Sequence, residues 1–276
     1  MILENQNDLA CYLCNGTIVQ CKELIKNKPS GETDFGISVD LYQREIVQCN
    51  NCKVFNNFHY FDLDNLYSTS YNHNTYSNSI KKTYEKIMRL PYCDSDNQHR
   101  VERIKNYYSK NNKLLNEAEV LDVGSGLCVF PGELLKYIKN ISCVDPSEIS
   151  VRHALENIRV NKGYCGEFLD IDFEKKYDLI TFNKVLEHVK NPIAMLAKAK
   201  SLLKKEGVVY IELPDGEEAS KNGGFINREE FYLEHYTIFS KDSLDYLVRK
   251  IGFGLDEFGS IHEPSDKYTL FAFLKI

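Results

Sequence analysis

The run Val120-Leu121-Asp122-Val123-Gly124-Ser125-Gly126 ends a short apolar stretch on an acidic residue and follows it with two glycines. Glycines let a backbone turn sharply and approach a ligand closely. The start of a helix behind such a loop favours polar or anionic groups. Asp145 closes a second apolar stretch, where a carboxylate can accept both hydroxyls of a ribose. Nicotinamide enzymes share that geometry, but their fingerprint needs a third glycine, and Val129 stands in its place. An ordinary strand-to-helix turn would satisfy the glycines taken alone.

Four of the nine cysteines form two pairs, Cys11-x-x-Cys14 and Cys49-x-x-Cys52. Each pair can direct two sulfurs at one ion, and two pairs fill the four positions of a structural Zn2+. The separation of the pairs exceeds the compact template. Buried, unliganded thiols are the alternative. Redox use is disfavoured because neither pair opens a helix after a strand. Cys21, Cys93, Cys128, Cys143 and Cys165 read as packing residues.

The elements that must hold these groups alternate. Segments 120–123, 141–144, 164–168, 178–182 and 208–213 read as short apolar strands, and 131–138 and 148–158 as helices between them. A further helix is capped by Asn191, carries Pro192 in its first turn and is expected to end at Gly207. Ser240 caps another, stopped by Gly252, and two strands close the chain. Such alternation argues for a parallel sheet covered by helices. Ahead of it, 80–90 and 101–115 read as helices, and 214–239 as a long insertion. The expected organisation is a zinc-binding module and connecting segment (1–79), a helical lid (80–115) and an α/β core (116–276).

With these elements in order, residues 118–213 resemble the class I S-adenosylmethionine (SAM)-dependent methyltransferases. The resemblance rests on Asp122-x-Gly124-Ser125-Gly126, Asp145, Tyr177-Asp178-Leu179-Ile180, Leu186-Glu187-His188-Val189 before Asn191-Pro192, and Gly207-Val208-Val209-Tyr210-Ile211. It implies a Rossmann-like seven-stranded core that binds SAM and releases S-adenosylhomocysteine. Asp122, Gly124, Ser125 and Gly126 would lie by the methionine moiety. Asp145 would hold the ribose, Pro146, Glu167 and Phe168 the adenine, and Asn183 would face the sulfonium. Cys128 departs from the family, many of whose members carry a third glycine there.

A zinc module ahead of such a core is similar to that of the methyltransferases acting on nucleotide-linked sugars. The segment Tyr232-x-Glu234-His235 is spaced as in the sugar C-methyltransferases, where these residue types line the substrate pocket. The resemblance makes His235 the base, Glu234 its support or substitute, Tyr232 a substrate contact and His188 a second pocket histidine. Tyr71 and Tyr76 are candidates to close over SAM. The C-terminal domain of those relatives is not expected after the last core strand, an expectation that favours oxygen or nitrogen over carbon as the methylated atom.

Composition bounds the rest. Lys and Arg number 34 against 40 Asp and Glu, a net charge of −6, so nothing draws the chain generally to nucleic acid or anionic lipid. No apolar run spans a bilayer and the N-terminus has no signal-peptide pattern, so a soluble cytoplasmic protein is expected. The expected acceptor is a small, sugar-containing or nucleotide-linked metabolite of bacterial surface-glycan or secondary metabolism. The rivals are an RNA or protein methyltransferase gripping its substrate through the zinc module, and a non-catalytic SAM-binding protein.

Overall fold

The computed structural model describes residues 10–17, 20–61 and 80–276. Tyr71 and Tyr76 lie outside them. The core is a seven-stranded sheet of order β10-β11-β8-β7-β4-β5-β6. Its parallel part comprises β4 (Glu119–Val123), β5 (Asn140–Asp145), β6 (Lys162–Cys165), β7 (Tyr177–Asn183) and β8 (Leu203–Pro214). The hairpin of β10 (Gly254–His262) and β11 (Tyr268–Lys275) adds antiparallel to β8. Strands covered on both faces read as near-continuous apolar runs, as in Val208–Ile211 of β8.

One face packs on α5 (Pro192–Leu202) and α7 (Lys241–Ile251), burying Leu196, Ala199, Leu244, Leu247 and Val248 with Leu121, Ile180 and Ile211. The other packs on α2 (Asp96–Lys110), where Val101, Ile104, Tyr107 and Tyr108 meet Val120, Leu179, Val208 and Phe273. Short helices α1 (Ile80–Met88), α3 (Val129–Leu134) and α4 (Glu148–His153) complete that layer. No helix of the described residues is long and apolar enough to cross a membrane.

The caps form as their residue types dictate. Asn191 accepts from the amide of Ala194, and Ser240 and Ser243 form a reciprocal capping box. Gly252 closes α7 at φ 71°. Gly207, expected after a helix, lies inside β8 instead, because α5 stops at Leu202. The register between β7 and β8 shifts between Tyr177 and Leu179, and a Cβ on Gly207 would stand 2.9 Å from the Tyr177 carbonyl oxygen. The glycine admits a close backbone approach in a bulge and does not cap a helix. The helix expected over 101–115 runs five residues earlier, because Ser95 caps it by accepting from the amide of Gln98.

The N-terminal segment forms a second sheet of β1 (Gln20–Ile25), β2 (Arg44–Gln48) and β3 (Phe55–His59). Its fourth strand, β9 (Thr237–Ile238), comes from the insertion at 214–239, which also folds α6 (Gly216–Lys221). The insertion thus ties the module to the core.

Candidate active site

At the carboxyl ends of β4, β5 and β7 lies a cavity of about 290 Å³. Such sheets collect ligands there. Gly124, Gly126, Asp145, Pro146, Glu167 and Phe168 line it, six of the positions expected to hold SAM. Gly124 adopts φ 69°, and a Cβ there would stand 2.6 Å from Val185 Cγ2, so only glycine fits. Cys128 also adopts a left-handed φ, 57°, a conformation that glycine takes without strain.

Asp145 is buried, and its carboxylate is fixed by two backbone amides, Gly126 N–H to Oδ2 and Ser147 N–H to Oδ1, both at 2.8 Å. Each oxygen keeps lone-pair capacity toward the cavity. Burial pushes its pKa up. Asp122, Ser125 and Asn183 do not line the cavity. Asp122 Oδ1 accepts from Thr181 Oγ1 (2.6 Å) and Asn183 Nδ2 (3.0 Å), and Ser125 Oγ donates to the Asp122 carbonyl (3.1 Å). These residues brace the loop from behind. Burial raises Asp122 to about 6.

A second cavity of about 330 Å³ adjoins the first. Lys184 and His188 line both. Tyr232, Glu234 and His235, the other expected catalytic residues, line the second, together with Glu187, Glu229 and Lys267. The segment is a turn following a short 3-10 helix at Glu229–Phe231, not an extended strand, so Glu234 and His235 face the same space. His235 Nδ1 lies 2.8 Å from the Glu230 carbonyl, His188 Nδ1 lies 3.0 Å from the Glu234 carbonyl, and the two rings are 4.7 Å apart. Burial holds both imidazoles neutral, His188 down to about 4 and His235 well below the ordinary histidine range. Burial pushes the Glu187 and Glu234 carboxyls up to about 7.

Lys184 and Glu187 line these cavities without a sequence signal that marks them as site residues. Glu187 directly precedes His188, an expected pocket histidine. Lys184 carries a signal visible only in the fold, a left-handed φ of 59° at a non-glycine residue between two cavities.

The N-terminal module grips the loop that carries His235. Arg44 and Glu32 form a wholly buried ion pair at 2.8 Å. Arg44 Nη1 donates to the Phe231 carbonyl (2.7 Å), Glu32 Oε1 accepts from the Leu233 amide (2.8 Å), and Asn57 Nδ2 donates to the Tyr232 carbonyl (3.1 Å). At the far end of the module, the sulfurs of Cys11, Cys14, Cys49 and Cys52 all lie within 4.8 Å of one another, with Cys11–Cys52 and Cys14–Cys49 at 3.6 Å. Zinc–sulfur bonds of about 2.3 Å put tetrahedral sulfurs about 3.8 Å apart, so the cluster fits a zinc ion. Both turns have one shape: Asn15 and Lys53, each following a second cysteine, take φ 57° and 62°.

Residues 93–257, more than half of the chain, match the family model described as a methyltransferase domain. The chain belongs to this methyltransferase family. The enzyme is 25% identical over 181 residues to the ubiquinone biosynthesis O-methyltransferase of Haemophilus ducreyi, covering 59% of this chain and 67% of that one. Its identity to the Histophilus somni protein of the same name is 31% over 106 residues, 35% of this chain and 44% of the relative. The chain therefore spans two thirds of the first relative and under half of the second. A SAM-dependent methyltransferase from Clostridium acetobutylicum superposes on 72% of this chain and 99% of its own, with TM-score 0.56 at 14% identity. The 1,6-didemethyltoxoflavin-N1-methyltransferase of Burkholderia thailandensis covers 84% of this chain and 96% of its own, with TM-score 0.54 at 16% identity. These likenesses establish the Rossmann-like methyltransferase fold, and the family match makes the chain a SAM-dependent methyltransferase.

Proposed function

We propose that the methyltransferase moves a methyl group from SAM in the first cavity to an oxygen, or alternatively a nitrogen, of a small polar acceptor in the second. The observation that carries this reading is the shared wall of Lys184 and His188. Adjacent cavities let donor and acceptor meet without solvent between them, and such positioning supplies much of the rate of a bimolecular transfer.

When bound, SAM supplies a methyl carbon already activated on a sulfonium. Asp145 holds the ribose diol, with Gly126 N–H and Ser147 N–H keeping its carboxylate in place. Glu234 and His235 face the acceptor, and one of the two takes the proton of a hydroxyl. The lining of carboxylates and imidazoles suits an acceptor rich in hydroxyls, and the Tyr232-x-Glu234-His235 pattern favours a sugar-containing or nucleotide-linked one of bacterial surface-glycan or secondary metabolism. Oxygen transfer agrees with the names of the relatives. The four cysteines hold one structural zinc, whose module braces the acceptor loop.

The test is a screen of nucleotide-sugars and hydroxylated small molecules with methyl-labelled SAM. Label should pass to a hydroxylated acceptor, and His235→Ala should lower its turnover roughly 10²–10⁴-fold while SAM affinity holds. Near-normal turnover in His235→Ala would place the acceptor elsewhere.

A further inference from the structure

We propose that Glu187, His188 and His235 form a divalent-cation site in the wall between the two cavities, where the cation grips two neighbouring oxygens of the acceptor. This rests on reading the second cavity as the acceptor pocket. One ligand atom from each of the three residues lies within 4.8 Å of the others. Glu187 is fully buried, and neither of its carboxylate oxygens has a hydrogen-bond partner in the structure. Buried carboxylates are ordinarily paired or bound to metal.

The two histidines are oriented as metal ligands are. Each turns Nδ1 toward a backbone carbonyl of the acceptor loop, His188 toward Glu234 and His235 toward Glu230. A nitrogen facing a carbonyl carries the ring proton, which puts the lone pair on Nε2, the outer-shell arrangement found around metal-bound imidazoles. Glu187 and His188 come from the 3-10 turn Leu186–His188 after β7, and His235 from the loop before β9. The Tyr236 amide donates to the Glu187 carbonyl at 2.8 Å and locks the two segments together. Lys184 Nζ donates to Thr269 Oγ1 at 2.6 Å and acts on Glu187 through its charge without a hydrogen bond, and Lys267 pairs with Glu229 at 3.1 Å.

Two imidazoles and one carboxylate leave coordination positions open for substrate. The acceptor class is therefore a molecule with adjacent oxygen donors, a vicinal diol or a hydroxy-carbonyl. A hydroxyl on the cation ionises more readily. Because the His235 lone pair is on the cation, Glu234 is the one of the two that takes the proton; the oxygen forms the bond to the methyl carbon, and the carbon–sulfur bond breaks with its electron pair remaining on sulfur. The cation is unchanged.

The probe is Mn2+, which carboxylate and imidazole accept and the soft thiolates of the cysteine cluster disfavour. Titration of the full chain, followed by electron paramagnetic resonance of the free ion, should show about one Mn2+ per chain. Glu187→Gln and His235→Gln should each weaken it at least about 10-fold, with calorimetric SAM binding retained to show that both variants fold. No Mn2+ uptake by the wild-type chain, or equal uptake by wild type and both variants, overturns the site. Failure of the wild-type chain to bind SAM would instead overturn the methyltransferase reading.

Discussion

Glu212, at the end of β8, is buried between two guanidiniums. Arg100 Nε donates to its Oε2 at 2.7 Å and Arg103 Nη2 to its Oε1 at 2.6 Å. Burial alone would raise its carboxyl, but the two arginines outweigh burial and hold it well below the ordinary carboxylate range. A carboxylate depressed in the folded state contributes stability that is complete above its unfolded pKa, about 4.3, and is lost as pH falls below it. Glu187 and Glu263 are raised by burial to about 7, so they act in the opposite sense, favouring the fold as pH falls from 7 toward 4.3. Thermal unfolding should therefore show the loss tied to Glu212 only below about pH 4.3. Glu212→Gln should be less stable at neutral pH, by about 3–5 kcal/mol for a broken buried pair, and should lose the acid-dependent drop. A variant with the wild-type acid profile would show that this residue does not set it.

The module and the acceptor loop form one mechanical unit. Removing one partner of the Arg44–Glu32 pair leaves a buried charge uncompensated, a cost of about 3–5 kcal/mol. It also frees the Phe231 carbonyl or the Leu233 amide. Arg44→Leu should thus lower the unfolding temperature and turnover while SAM affinity stays near wild type, because Arg44 lies on the module and not at the glycine loop. Cys49→Ser should lose one bound zinc relative to wild type and mimic that pattern. Unchanged turnover in a destabilised Arg44→Leu would separate the module from the site. The cysteine pairs are legible in the sequence, since a CxxC spacing is local. β9 is not, being a two-residue strand whose identity depends wholly on pairing with Phe55 and Asn56.

At the scale of the whole molecule, the seven-stranded core is legible because its central strands carry short apolar runs, as at Val120–Leu121 and Val208–Ile211, and its helix starts carry strong caps, as at Asn191 and Ser240. The glycine loop and Asp145 were legible because they are fixed to strand ends. Gly207 misled because the same residue serves a helix stop and a bulge, and only the Tyr177 carbonyl decides between them. Glu187 is not legible as a site residue because the lack of a hydrogen bond to its buried carboxylate is a property of packing. The central claim is that the cavity at the ends of β4, β5 and β7 binds SAM through Asp145 and that the acceptor sits beyond it. Calorimetry of SAM binding to wild type, Asp145→Ala and His235→Ala tests it most directly. Loss of a charged hydrogen bond costs about 1.5–3 kcal/mol, so Asp145→Ala should bind SAM at least about 10-fold more weakly, while His235→Ala binds like wild type. Unchanged affinity in Asp145→Ala, or a comparable loss in His235→Ala, would contradict the assignment of the two cavities.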